Sequence, residues 1–333
     1  MGSSTAPHLA GALWSVNAFA SLVVDWGHDG APPRSELYED AVDLPFDSHF
    51  LQRLEQLMLA SRRTAPGLGA GRRRSPTIGS SIEFADYRTY TPGDDVRRID
   101  WNVYARLDKL FLRMSMVEEN TAVTLFVDCS RSMAAGLPAK GVLARRLAAA
   151  LAYAALINDD RVAVAACRAS LDRWLPPVAG RAALGRVWRF LQEQTFDGPT
   201  DLGQALASYR RFTRGPGLAI VISDLLTPSD WRAGLTALRV LRQDVALIQI
   251  LAPDEIEPSL RGDLTLVDDE TGTRREVSLT GPVLKAYRAR LAAYTAETAH
   301  FCAARGIPFV QVASDAALDD IVLKTLRRAG VVS

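Results

Sequence analysis

Thr121-Ala122-Val123-Thr124-Leu125-Phe126-Val127-Asp128-Cys129-Ser130-Arg131-Ser132-Met133 is the stretch that decides how the chain is read. Residues 122–127 form an apolar run rich in β-branched side chains, which predicts one buried strand. The run ends in a carboxylate and two hydroxyls at alternate positions, Asp128, Ser130 and Ser132. Open α/β sheets bind ligands in the crevice outside the C-terminal ends of their strands. These three oxygen-bearing side chains are therefore the start of a candidate site.

Downstream, the hydrophobic period alternates between that of strands and that of helices. Helices are predicted over 139–157, 182–194, 202–212, 230–242, 282–304 and 318–328. Strands are predicted over 161–166, 171–175, 218–222, 245–251 and 307–312, with a hairpin over 263–267 and 274–279. Short apolar strands between amphipathic helices imply a doubly wound, mostly parallel α/β sheet covered on both faces, with right-handed crossovers. Upstream, Leu110 to Val117 reads as an antiparallel edge strand, expected to pair with 122–127 across Glu118-Glu119-Asn120. The expected organisation is a loosely ordered extension over 1–45, a helix plus irregular arm over 46–118, and the α/β domain over 119–333.

The 333 residues, 48% hydrophobic and 23% charged, are ordinary for a globular protein with a sizeable core. A formal charge of +1 gives no general attraction to nucleic acid or membrane. Cys129, Cys167 and Cys302 form no CxxC, so they are expected to be small buried residues rather than a disulfide framework or zinc site. Four histidines without HExxH argue against a histidine-based metal site. No stretch has the roughly 18 uninterrupted apolar residues of a membrane span. Leu9 to Val24 is broken by Ser15, Asn17 and Ser21, lacks a basic leader and precedes Asp25; it is not read as a secretory signal. A cytoplasmic protein is the expectation.

The extension carries a breaker at Gly30-Ala31-Pro32-Pro33, an acidic tract over 36–43 and room for a short helix near Leu13–Val24. Phe46 to Ser61 has Leu51, Leu54, Leu57 and Met58 on one helical face. Arg62, Arg63 and Arg72 to Arg74 follow without an acidic residue among them; a solvated loop is the plainer reading and a phosphate-binding arm the sharper one. The glycines of Gly67-Leu68-Gly69-Ala70-Gly71 lack both a preceding strand and the final glycine of a dinucleotide fingerprint.

Two later loops complete the site. Asp197-Gly198-Pro199-Thr200-Asp201 precedes the 202–212 helix, and Ser223-Asp224 ends the 218–222 strand. In a doubly wound sheet both fall at the edge that carries Asp128. Asp128, Ser130, Ser132, Thr200 and Asp224 offer only oxygen, which suits a hard cation, Mg²⁺ before Ca²⁺ or Mn²⁺. Three of them are neutral hydroxyls, so a bound metal keeps charge for a further carboxylate. The competing reading of Asp128, Ser130 and Ser132 is a helix cap; Asp201 is either a substitute ligand or a helix-start residue that complements the dipole. Arg131 and Met133 flank the site as candidate partner contacts.

This pattern resembles the metal-ion-dependent adhesion site (MIDAS) of von Willebrand factor A domains, at positions Asp128, Ser130, Ser132, Thr200 and Asp224. The resemblance implies that serines and threonine touch the metal, that the aspartates act through water, and that a partner's Asp or Glu fills the open position. Pro199 departs from the glycine common there. Ser81 to Arg88, Pro92-Gly93-Asp94-Asp95 and Arg97-Arg98-Ile99-Asp100-Trp101-Asn102 through Arg106 resemble the signature of the bacterial family catalogued as domain of unknown function 58. That family is von Willebrand A-like and often encoded beside MoxR-type AAA+ ATPases. The resemblance spans about residues 46 to 330. The open oxygen site and the absence of a catalytic constellation point to a non-catalytic, metal-dependent protein-binding module, and the resemblance makes its expected partner a MoxR-type ATPase or its client. No Walker lysine, G-x-S-x-G or Ser-His-Asp set supports an enzyme. The alternatives are a metal-assisted phosphoryl hydrolase and nucleic-acid binding through the Arg-rich loop.

Overall fold

A computed structural model of the chain describes residues 22–24, 46, 49–55, 84–92, 94, 96, 99–115, 122–199, 201–213, 215–227, 229–259, 262–268 and 274–331. The chain divides into two compact units, Met1–Leu68 with Thr121–Ser333, and Gly69–Asn120.

The larger unit begins with a short strand, β1 (Leu22–Val24), and a helical stretch over 49–55, α1. The smaller unit contains β2 (Phe84–Thr89), the helix α2 (Trp101–Leu107) and β3 (Phe111–Ser115). β2 and β3 pair antiparallel, with a bulge between Phe84 and Asp86. Asp94 closes a turn by accepting from Thr91 N and Oγ1 at 2.8 and 2.7 Å. Asp100 caps α2 by accepting from the N–H groups of Asn102 and Val103.

The rest of the larger unit runs β4 (Ala122–Asp128), α3 (Lys140–Ile157), β5 (Arg161–Cys167), β6 (Leu171–Val178) and α4 (Leu184–Gln192). It continues through α5 (Leu202–Ser208), β7 (Gly217–Ser223), α6 (Trp231–Val240), β8 (Gln243–Leu251) and the single turn α7 (Pro253–Ile256). The hairpin β9 (Gly262–Asp268) and β10 (Arg274–Leu279) follows, then α8 (Gly281–Ala303), β11 (Phe309–Ala313) and a helix over 318–328, α9, whose Ile321–Leu326 part is π-helical. The six-stranded sheet has the order β11-β8-β7-β4-β5-β6. Its five inner and left-hand strands are parallel, and β6 alone is antiparallel. The doubly wound α/β architecture is thus the one expected.

Alternation along each strand builds two cores. Val123, Leu125 and Val127 of β4 face one side with Ile220 and Ile222 of β7, where α3 and α9 cover them. Phe126, Ala219 and Val221 face the other with α5 and α6. α3 is buried over most of its surface: its alanines and leucines from Leu143 to Leu156 pack against the sheet and beside α1 and α4, and Arg146 is exposed. Gly203 and Gly234 let α5 and α6 touch; a Cβ on Gly203 would lie 2.6 Å from Asp230 O.

Two expectations fail. β3 pairs with β2, and β4 has no free edge, since β5 and β7 flank it with parallel pairing. The antiparallel edge strand is β6. A seven-residue strand whose side chains are buried on both faces belongs inside a sheet, and 122–128 is such a strand. Leu22–Val24, placed in a possible helix, is instead a strand paired antiparallel with β9; the remainder of 1–45 lies outside the described residues, as do Arg62, Arg63 and Arg72 to Arg74. Among the described residues no helix is long and apolar enough to cross a membrane.

Candidate metal centre at the topological switch point

The chain leaves β4 towards β5 on one side, then returns past it to β7 on the other. The order therefore reverses between β4 and β7, the place where open sheets form a ligand crevice. The C-terminal residues of these two strands are Asp128 and Ser223-Asp224.

Asp128 is 2% exposed, Ser130 0%, Ser132 2% and Asp224 1%. Asp128 accepts from Ser130 N at 2.9 Å and from the Ser223 hydroxyl at 2.6 Å. The Ser130 and Ser132 hydroxyls are 3.0 Å apart and hydrogen-bonded. The sharp turn after β4, a 3₁₀ turn over Arg131–Ala134, brings both serines inward. The 197–201 loop is tied to this turn by the Ser130–Gly198 bridge and by Arg131 N donating to Gly198 O at 2.9 Å. Thr200 itself lies outside the described residues. Asp201 is the cap of α5, accepting from Gln204 N at 2.9 Å. Met133 is fully buried in the core, so it is not a surface contact as expected. A methionine one residue past Ser132 points back under the sheet.

Burial, and then the nearby Asp224 carboxylate, push Asp128 up to about 6, although Ser223 and Ser130 hydrogen bonds pull it down. The neighbouring Cys129 thiol is pushed up to about 12, by burial and by Asp128. All three cysteines are free and buried, as expected.

Three residues here were not singled out from sequence. Ser223 orients Asp128. Lys140, 0% exposed at the first turn of α3, donates to Asp224 Oδ2 at 2.7 Å and to Glu255 Oε1 at 2.5 Å. Glu255, in the turn after β8, accepts from Ala252 N at 2.7 Å with its other oxygen. Burial would lower the Lys140 ammonium, but Asp224 and Glu255 outweigh it and hold it up. Burial pushes Glu255 up, and Lys140 only partly offsets this. By formal charge the group holds Asp128, Asp224 and Glu255 against the single Lys140 ammonium, so negative charge exceeds positive charge in it. One signal was legible. A lysine in the first turn of a helix opposes the helix dipole, which favours an anion beside it.

The donors fit a hard cation in kind. They are oxygens only, they are buried, and the charge around them is negative. Among the described residues no group of three or more His, Cys, Asp or Glu side chains is placed to hold a metal; the convergent donors here are mostly hydroxyls. Asp224 has both oxygens engaged, by Lys140 and by Leu226 N at 3.0 Å. Asp128 likewise has both oxygens engaged, by Ser130 N and the Ser223 hydroxyl, so among the described residues the Ser130 and Ser132 hydroxyls are the groups able to meet a cation directly.

Residues 86–300 match the family described as "Protein of unknown function DUF58". Uncharacterized protein Rv1480 of Mycobacterium tuberculosis is 29% identical over 275 residues, covering 81% of this chain and 86% of its own. Uncharacterized protein MAV169 of Mycobacterium avium is 33% identical over 115 residues, 34% of this chain and 68% of its own. Among solved structures, BatB from Bacteroides thetaiotaomicron is 15% identical, with a TM-score of 0.37 over 63% of this chain and 99% of that one. An aerotolerance-related membrane protein from Bacteroides fragilis is 16% identical, with a TM-score of 0.38 over 63% and 98%. These two scores are too low to carry an argument about this chain. The match over 86–300 is decisive by its extent: the chain belongs to the DUF58 family.

Proposed function

We propose that the chain is a non-catalytic protein-binding module of von Willebrand A type. Asp128, Ser130 and Ser132, with Thr200 and Asp224, hold Mg²⁺ in a MIDAS-like site, and the metal grips an Asp or Glu of a protein partner. The observation that carries this reading is the buried carboxylate–hydroxyl group at the switch point, surrounded by surplus negative charge. A divalent cation offsets that surplus, and its coordination position not filled by the chain is open to an outside carboxylate. The cation supplies Lewis acidity; Ser223 and Ser130 hold Asp128 in place for it. The partner proposed is a MoxR-type AAA+ ATPase or its client, and the family resemblance is what supports that choice.

The test is co-purification of the full chain with a MoxR-type AAA+ ATPase, in Mg²⁺ and in EDTA. Capture in Mg²⁺, lost in EDTA and in Asp128→Ala, is the expected result. Equal capture in all three overturns the metal-bridged reading.

A further inference from the structure

We infer that Lys140 sets the metal affinity of the switch-point site, acting as a fixed counter-charge that leaves room for one divalent cation and no more. The inference rests on the metal reading above. It starts from the count of charges. Asp128, Asp224 and Glu255 bring three carboxylates to a buried group in which Lys140 is the single ammonium. One ammonium against three carboxylates leaves two negative charges, which a divalent cation cancels.

Of the proposed donors that are described, the ammonium is hydrogen-bonded to Asp224 alone. Lys140 Nζ bonds to Asp224 and Glu255, and to none of Asp128, Ser130 and Ser132. The lysine is thus a neighbour of the site and not a replacement for the metal. Glu255 keeps it there. That carboxylate is fixed in turn by Ala252 N, while Tyr287 Oη donates at 2.6 Å to the Glu255 carbonyl. The ammonium cannot swing to water, because its side chain is wholly buried at the start of helix α3.

A charge held a few ångströms from a cation in a low-dielectric interior changes that cation's affinity on the order of tenfold or more. Lys140 therefore lowers the affinity for Mg²⁺, and Glu255 raises it. A weakened metal is held firmly only when a partner's carboxylate completes it, so the same lysine makes metal and partner binding depend on each other.

The experiment is a titration of Mg²⁺, and separately Mn²⁺, followed by the thermal midpoint of the full chain. The variants are Lys140→Met, Glu255→Gln, Ser130→Ala and, as a surface control, Glu257→Gln. The half-saturating Mg²⁺ concentration is expected to fall about tenfold in Lys140→Met and to rise about tenfold in Glu255→Gln. It is expected to stay unchanged in Glu257→Gln, and the metal response is lost in Ser130→Ala. A native chain without any metal response overturns the metal reading itself. A native chain that responds, with Glu255→Gln and Lys140→Met both at the native half-saturation, overturns the role of Lys140 and leaves the metal site standing. If Lys140→Met does not fold, Glu255→Gln decides alone: a weaker metal response supports the inference, and a native one overturns it.

Discussion

The two halves of the switch-point group answer their charges differently. Asp224 and Glu255 share the Lys140 ammonium, with side chains 2% and 11% exposed. Asp128 meets two serine hydroxyls and a backbone N–H, and no cation among the described residues. The first half is a closed ion-pair group; it belongs to the fold. The second half holds a carboxylate that burial pushes towards its neutral form. A second contrast lies two residues along the chain: Glu257 pairs with Arg288 at 2.5 Å, yet the two side chains are 67% and 46% exposed. The same chemistry is structural at 255 and nearly idle at 257, because water screens one pair and not the other.

The largest expected effect breaks the closed half. Lys140→Met or Asp224→Asn strands a buried charge and should cost about 3–5 kcal/mol, read as a lower denaturant midpoint in EDTA. A smaller loss follows from the turn that joins the halves. Gly136 sits at φ +96°, and a Cβ there would lie 2.5 Å from the Ala252 Cβ, so Gly136→Ala should destabilise by about 1–3 kcal/mol. Asp128→Asn sharpens the contrast. It removes an ionised group that burial and Asp224 disfavour, so in EDTA its stability should stay within about 1 kcal/mol of the native chain, while in Mg²⁺ it should lose the metal-induced rise. A drop as large as that of Asp224→Asn would erase the distinction between the halves. Arg288→Ala should change stability by less than about 0.5 kcal/mol, measured by the same unfolding curves.

Much of the larger unit was legible because its signal is local. The 122–128 strand, the alanine-rich α3 and the 281–303 helix each declare themselves by period, and the observed bounds differ from the expected ones by a few residues. Pairing was less legible. The 110–117 strand was assigned to the nearest strand in sequence, but register partners are set by which edges are open, and the two edges of β4 are filled by strands far along the chain. In the smaller unit the 110–117 strand was expected, but β2 and α2 fall in the stretch read as irregular. Its helix has no buried residue, and Trp101 and Leu107 are 61% and 60% exposed, so it has no apolar face in period to reveal it. Within the site, Asp128, Ser130, Ser132 and Asp224 were found from their place at strand ends. Lys140 and Glu255 were not, since a charged residue in a helix or turn reads as solvated until its burial is seen.

β6 has one more consequence. Its last turn of ladder contains Pro176 and Pro177, both exposed, and its pairing with β5 shifts register between Val162 and Val164, opposite them. Prolines offer no N–H to a newcomer, and the bulge turns the strand's rim away from straight alignment. The proline end of that margin therefore resists being extended by a second strand, whether from a swapped copy or a growing fibre.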